Sequence, residues 1–218
     1  MMKALLGLLL LGAGAAHATD MAVVRYVDQD PGDPSYLTRI LVTPEFMRMD
    51  DGNDNSDFVL LDRRQRQLIN VTRENRLAMV FTPGTLPPKP AGWNPRLDVH
   101  PAAPGTQRFS LVLKDVVCSE GVAARAAAPD AARAMAELKF VLAAMQYRVW
   151  ESSPRELQHD CDLANLVWES GATLGLGLPL EEREYTGRTR QLESESKQLL
   201  QPELFRVPEG MTAINAPS

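Results

Sequence analysis

Residues 36–81 read YLTRILVTPEFMRMDDGNDNSDFVLLDRRQRQLINVTRENRLAMVF, and this stretch decides the fold. Apolar and polar residues alternate in short segments, which are separated by clusters of Asp, Asn, Gly or Arg. Such alternation predicts half-buried β-strands, and the polar clusters predict hairpin turns. Pro44 interrupts the segment from Tyr36 to Asp50 and indicates a sheet edge or a bulge, because proline cannot donate a ladder hydrogen bond. We therefore predict consecutive antiparallel hairpins with one buried face.

The segments on either side predict more strands and one long connection. Met21 to Val27 is rich in β-branched residues, and Phe109 to Leu113 alternates, so both predict strands. Residues 82–106 contain ten Pro and Gly residues, which predict a connection without regular structure. A connection of this length is typically functional or mobile. Trp93 lies within it, either as a contact with the sheet or as the buried aromatic of an inert linker.

A long helix is predicted to begin at Pro129. Proline suits the first turn of a helix, and Asp130 complements the positive end of the helix dipole. Apolar residues then repeat at helical spacing as far as Val149. The sequence Ser152-Ser153-Pro154 predicts the end of this helix, because the residue before a proline avoids helical geometry.

The C-terminal third contains three weaker patterns. A second, shorter helix that carries Cys161 is predicted over residues 155–168. A charged, alternating segment over residues 180–197, broken at Gly187, predicts a hairpin. Residues 213–218 are predicted to form a loose tail.

The N-terminus carries the pattern of a cleaved signal peptide. Lys3 provides a positive charge, the following apolar run is too short to cross a bilayer, and Ala16 and Ala18 provide small residues for cleavage. We predict that residues 1–18 are removed and that residues 19–212 form a single exported domain, placed in the periplasm. No later stretch is predicted to span a membrane.

The composition is that of a chain that can form a core. Hydrophobic residues make up 44% of it, and the formal net charge is −5. A nucleic-acid-binding protein usually carries a basic stripe, so we expect no nucleic-acid partner.

Cys118 and Cys161 are the only two cysteines. In an exported protein such a pair is typically a disulfide, and this is our prediction. A metal site or a nucleophilic cysteine are the alternatives, with His159 or His100 as the partner. The spacing from His159 to Cys161 matches zinc-ligand pairs poorly, and no local motif supports catalysis.

The acidic stretch over residues 50–57 is a calcium candidate. Oxygen-bearing side chains occur at every second position, as in an EF-hand loop, but the turn glycine and the final bidentate glutamate are missing. A polar hairpin turn accounts for the same residues. The candidate ligands are Asp51, Asn53, Asn55 and Asp57. No catalytic motif is present, and we expect no cofactor and no enzymatic activity.

The segments "LVTPEFMRMDDG" (41–52), "DFVLLDRRQRQLINVT" (57–72) and "LFRVPEGM" (204–211) resemble the periplasmic lipoprotein-carrier superfamily, the LolA/LolB-like proteins. The resemblance implies an α+β fold in which helices pack on the concave face of a strongly curved antiparallel sheet, a half-barrel. It also implies that this face can hold acyl chains. The sequence departs from the carriers in its cysteine pair and in the helical region between the two cysteines.

We therefore expect an exported, non-enzymatic protein that binds a lipid-like or other hydrophobic ligand, such as lipoprotein acyl chains, in the concave face. The alternative is a structural or interaction module that meets another envelope protein. Apolar side chains of the predicted strands and connection are the candidate ligand contacts, although the same residues also fit an ordinary core. These candidates are Phe46, Met47, Met49, Leu77, Met79, Phe81 and Trp93.

Overall fold

A computed structural model describes residues 20–216, so the predicted signal peptide lies outside the described residues. The fold class is α+β, as predicted: one open twelve-stranded sheet, one long helix, one short helix and one disulfide. The strands are β1 (Asp20–Gln29), β2 (Tyr36–Val42), β3 (Phe46–Asp50), β4 (Phe58–Asp62), β5 (Gln67–Thr72), β6 (Leu77–Phe81), β7 (Arg96–Pro101), β8 (Thr106–Leu113), β9 (Val116–Ala124), β10 (Leu178–Glu184), β11 (Thr189–Leu199) and β12 (Thr212–Asn215). The helices are α1 (Pro129–Ser152) and α2 (Asp160–Leu163).

The sheet has the order β12-β6-β5-β4-β3-β2-β1-β11-β10-β9-β8-β7. Within β1–β6, strands that follow one another in the chain are also neighbours in the sheet, and the same holds within β7–β11. An antiparallel ladder between β1 and β11 joins the two groups. The predicted hairpins of residues 36–81 and 180–197 are confirmed. Within residues 20–216, β12 is the one strand that pairs in parallel, and its partner is β6.

Pro44 lies in the turn between β2 and β3. Thr43 closes this turn: its backbone N–H donates to the carbonyl of Phe46 at 2.9 Å, and its hydroxyl accepts from the N–H of Phe46 at 2.9 Å. The proline thus separates two strands of a hairpin, and the expected edge or bulge within one long strand is wrong.

The prediction that residues 82–106 have no regular structure is wrong, because this connection contains a strand. β7 occupies Arg96–Pro101 and pairs with β8 as an edge of the sheet. Pro95 precedes this strand and Pro101 is its last residue, so the residues between them keep their N–H groups for the ladder.

Three further expectations differ from the structure. β9 follows β8 directly, where no strand was predicted. The small residues of β9 give only a weak alternation of apolar and polar residues. Gly121 is required in this strand, because a side chain there would collide with the carbonyl of Glu181. The second helix is broken into short turns around α2, because the imidazole Nδ1 of His159 accepts the N–H of Cys161 and starts a new helix. Residues 212–215, placed mostly in the expected loose tail, form β12.

The helix face of the sheet carries the main core. Every second residue along the strands lies on this face and packs against α1. The helix crosses the sheet and contacts β1, β2, β3, β5 and β10. The fully buried members from the sheet are Val24, Tyr26, Ile40, Val42, Met47, Leu61, Leu68 and Leu178. Small residues on α1, including Ala131 and Ala134, let the helix approach the sheet closely.

The opposite face has its own core, covered by the C-terminal segment. Leu204 and Phe205 lie on a 3₁₀ turn (Pro202–Phe205) and pack against the alternate strand residues, whose side chains lie on this face. Arg48 is buried there at 1% exposure and donates to Asp50 at 2.6 Å and to the carbonyl of Leu204 at 2.9 Å. Burial opposes ionisation of Asp50, but hydrogen bonds from Arg39, the N–H of Gly52 and Arg48 outweigh it and lower the pKa of Asp50.

The Cys118–Cys161 disulfide is confirmed and joins β9 to α2. Both cysteines are 1% exposed or less and belong to a small core with Leu111, Leu113 and Ala164. Since both sulfurs are bonded to each other, neither is available as a metal ligand or a nucleophile.

Within residues 20–216, neither helix is long and apolar enough to cross a bilayer. The two sheet edges are β12, with four exposed residues, and β7, which carries Arg96 and Asp98. Short and charged edge strands are the means by which natural sheets avoid edge-to-edge pairing.

Candidate functional site

A cleft lies between α1 and the helix face of the sheet, at the strand ends next to the loop of residues 51–57. Its volume is about 510 Å³. The floor comes from β2 to β5, and the roof comes from the middle of α1 together with Leu166. Leu166 belongs to a π-helical turn (Ala164–Trp168) that follows α2.

The middle of the cleft is apolar. Met49 and Val59 are directly opposite each other in the β3–β4 ladder, so their side chains share the helix face. Leu138 and Leu142 are one helical turn apart on α1 and face them across the cleft. With Leu166, these side chains form a wall suited to a hydrocarbon chain.

One end of the cleft is polar and narrower. A smaller cavity of about 90 Å³ adjoins there and shares Lys139, Leu166, Arg188 and Arg190 with the larger one. Strands β10 and β11 contribute Glu182, Glu184, Thr189 and Arg190, and Arg188 comes from the turn between these strands. We call these residues the polar end.

Arg190 is fixed in place by a buried ion pair. It donates to both carboxylate oxygens of Asp28, at 2.7 and 2.8 Å, and Thr38 donates to the same carboxylate at 2.6 Å. Burial opposes the charge of Asp28, but the hydrogen bonds and the charge of Arg190 outweigh it, so the pKa of Asp28 is lowered. The guanidinium also lies 4.7 Å from the ring centroid of Tyr26.

Two carboxylates of the polar end face cations without a direct bond to them. Among residues 20–216, neither Glu182 nor Glu184 makes a side-chain hydrogen bond or an ion pair, whereas Lys139 donates to the carbonyl of Asn165 at 3.3 Å. Burial raises the pKa of Glu184, and the charges of Lys139 and Arg188 only partly offset this rise.

A second cavity, of about 310 Å³, lies on the other side of α1. It is lined by Leu61 and Phe140 and is bordered by Arg63, which bridges Asp130 at 2.8 Å and Glu137 at 2.6 Å. Because Arg63 is held by these two carboxylates, this cavity has a basic group that is already neutralised. Phe140 is 50% exposed at its mouth.

The predicted ligand contacts are divided among several places. Met49 lines the cleft, whereas Met47 is fully buried in the core beneath α1. Phe46 lies on the opposite face, with its ring centroid 6.2 Å from that of Phe205. Strand alternation forces this division, since Phe46 and Met47 are consecutive.

The remaining predicted contacts lie outside the cleft. Leu77, Met79 and Phe81 are partly buried on β6, and Phe81 packs against the helix-face core. Trp93 packs edge-to-face on Trp168, with ring centroids 4.6 Å apart, so it contacts the π-helical turn.

The side chains of the acidic loop are used locally. Asp51 accepts the N–H of Asn53, Asn53 accepts the N–H of Asn55, and Asp57 accepts the N–H of Arg73. Among the described residues, no cluster of three or more His, Cys, Asp or Glu side chains is arranged to hold a metal ion.

Sequence reasoning missed the roof and the polar end of the cleft. Leu138 and Leu142 were visible as helical periodicity, but nothing local indicated which strand they face. Arg190 meets Asp28 only through the β1–β11 ladder, which joins residues from opposite ends of the chain.

No protein-family model matches the chain, and no curated protein matches it. Among solved structures, it is similar to two crystal forms of PNGF-II. One, in space group P21, is 11% identical over 91% of this chain and 32% of that chain, with a TM-score of 0.37. The other, in space group C2, is 12% identical over 91% and 31%, with a TM-score of 0.36. The chain therefore spans about a third of the length of these structures.

Proposed function

We propose that this protein binds one elongated, lipid-like molecule in the cleft beneath α1, without catalysing a reaction. We further propose that it does so in the periplasm, after removal of residues 1–18, as a relative of the lipoprotein carriers. The observation that carries the proposal is the cleft itself, which has a volume of about 510 Å³ between α1 and the sheet, an apolar middle and a polar end.

The lining favours a chain-shaped ligand over a compact one. Apolar side chains line a path through the cleft from Met49 on the sheet to Leu142 on α1. The flexible methionine side chain can adapt to the shape of a hydrocarbon chain. Small-molecule sites are typically concave, mainly apolar and equipped with a few polar groups. Each methylene moved from water into such a wall contributes about 0.8 kcal/mol.

The test is binding of 1-dodecanol, an uncharged probe with a twelve-carbon chain, measured by equilibrium dialysis. We expect saturable binding of one molecule per protein. Leu142→Arg places a charge in the apolar middle and should weaken binding at least tenfold, whereas Leu142→Met should retain it.

Phe140→Arg is the matched control, because it introduces the same charge on the same helix but faces the other cavity. It should leave dodecanol binding within twofold of wild type. Circular dichroism and thermal unfolding establish that each variant is folded. Absence of saturable binding to the wild-type protein, or equal losses in the two arginine variants, would overturn the proposal.

A further inference from the structure

We propose that the last six residues of β11, residues 194–199, form an interaction surface for a second copy of this chain. The two copies pair antiparallel along this strand, with a twofold axis at Ser196, so that their sheets become continuous. This inference concerns another part of the sheet than the cleft and is independent of the ligand proposed above.

Strand β11 is longer than its ladder with β10. On one side it pairs with β1 along its whole length, apart from a bulge near Glu193. On the other side its ladder with β10 covers only Thr189 to Gln191. Among the described residues, residues 194–199 make no backbone hydrogen bond on that second side, and we call them the open edge.

Pro179 explains where the ladder with β10 stops. A proline has no N–H to donate, and the carbonyl of Pro179 accepts the hydroxyl of Tyr26 at 3.0 Å. The pairing of β10 with β9 is also shifted between Pro179 and Glu181. The regular part of β10 that can pair with β11 therefore begins at Glu181, and the open edge lies beyond it.

The open edge is accessible to another strand. All six of its residues are exposed, and Leu199 is 66% exposed. Unpaired N–H and C=O groups along an extended strand are a template for pairing with another chain. Natural sheets often prevent such pairing with charged side chains. Here the two charges have opposite signs, so they can attract a second copy.

One register makes the charges of two copies complementary. In an isologous antiparallel pair, the twofold axis passes through one residue, and residues equally far from it lie opposite each other. With the axis at Ser196, Glu195 lies opposite Lys197 of the second copy, and this pair occurs twice. Ser194 then lies opposite Gln198. Moving the axis by one residue places Glu195 or Lys197 opposite its own copy, where like charges destabilise the ladder.

Both charged side chains are available for this pairing. Glu195 and Lys197 lie on the helix face, because their partners in β1 are Val24 and Ala22, which pack in the helix-face core. Within residues 20–216, neither Glu195 nor Lys197 makes a side-chain hydrogen bond or an ion pair. Two ion pairs across the axis use both side chains of each copy.

The length of the open edge predicts a weak dimer. Six strand residues span about 20 Å. One such strand pair buries less than the roughly 1,600 Å² of a typical stable interface. We therefore expect a reversible dimer with a dissociation constant in the micromolar range or weaker.

The experiment measures the monomer–dimer equilibrium of the purified protein by sedimentation equilibrium. Glu195→Lys and Lys197→Glu each place like charges opposite one another, so each should weaken dimerisation at least tenfold. The double variant Glu195→Lys/Lys197→Glu restores opposite charges and should dimerise within threefold of wild type. An equimolar mixture of the two single variants should also dimerise, because every opposing pair then has opposite charges.

Arg155→Glu is the matched control. It makes the same change in charge as Lys197→Glu, at an exposed position on a 3₁₀ turn (Arg155–Leu157), and should leave dimerisation within twofold of wild type. Circular dichroism and thermal unfolding establish that each variant is folded.

Three outcomes would overturn the proposal. The first is a wild-type protein that stays monomeric up to about 0.5 mM, where even a weak interface should associate. The second is a wild-type dimer that both single variants leave unchanged, which would place the contact on another surface. The third is a double variant, or a mixture of the single variants, that stays monomeric.

Discussion

Removing the Cys118–Cys161 disulfide should destabilise the protein by about 4 kcal/mol. The two cysteines are 43 residues apart in sequence, so the cross-link closes a loop of about 44 residues in the unfolded chain. The loop-closure entropy for that length corresponds to about 4 kcal/mol at 25 °C. Domains are typically stable by only about 5–15 kcal/mol, so this loss is a large share of the total.

The loop contains all of α1, and the cross-link anchors α2 beside the π-helical turn that carries Leu166. In the double variant Cys118→Ala/Cys161→Ala, this roof of the cleft is held by packing alone. We therefore expect the variant to fold with weaker dodecanol binding in addition to its lower stability.

Urea unfolding followed by circular dichroism measures the change in the free energy of unfolding. The wild-type protein unfolded in the presence of a reductant is the control, because it loses the cross-link without losing the two sulfur atoms. A loss of less than about 1 kcal/mol in both experiments would refute the loop-entropy reasoning. Because both sulfurs are buried, the native disulfide should also resist reduction until the protein unfolds.

Three further predictions concern other parts of the molecule. Glu184→Gln should be more stable than wild type at pH 7, because burial raises the pKa of Glu184 and so penalises its ionised form in the folded protein. Below pH 4.5, the ordinary pKa of a glutamate, the free energies of unfolding of the two proteins should become equal. A difference in stability that persists in acid contradicts this reasoning. Arg48→Met should lower the free energy of unfolding in urea by about 3–5 kcal/mol, because it leaves Asp50 and the carbonyl of Leu204 buried with fewer hydrogen-bond partners. The control Arg64→Met, at an exposed position, should change it by less than about 0.5 kcal/mol. Truncation after Gly210 should expose the edge of β6 and increase self-association in analytical ultracentrifugation; self-association that matches that of the full chain would show that β12 does not protect this edge.

Much of the sheet could be predicted because its hairpins are local. The strands of residues 36–81 follow one another along the chain, so alternation and turn residues indicate both the strands and their neighbours. The long helix was equally accessible, since Pro129 and Ser152-Ser153-Pro154 mark its ends. β9 was missed because close packing at Gly121 demands small residues, which weaken the hydrophobic pattern.

The candidate site was less accessible to sequence reasoning. Alternation alone excludes Phe46 and Met47 from sharing a face, and this could have been recognised from the sequence. The pairing of Arg190 with Asp28 could not, because it depends on the register of two strands that no local signal connects. The lining of the cleft is therefore set by the long-range pairing of strands, whereas the hairpins that support it are set by the local sequence pattern.

The position of β1 and β12 in the sheet has a consequence for how the chain folds. β1 pairs with β11, and even the nearest partners, Gln29 and Thr189, are 160 residues apart. The last strand returns to β6, so both edges of the β1–β6 group are completed by the end of the chain. Such a topology has high contact order and should fold slowly, because loop-closure entropy is lost before these ladders can form. The two groups of strands should therefore unfold as one cooperative unit, and the chain should gain its full stability only when its last residues have paired.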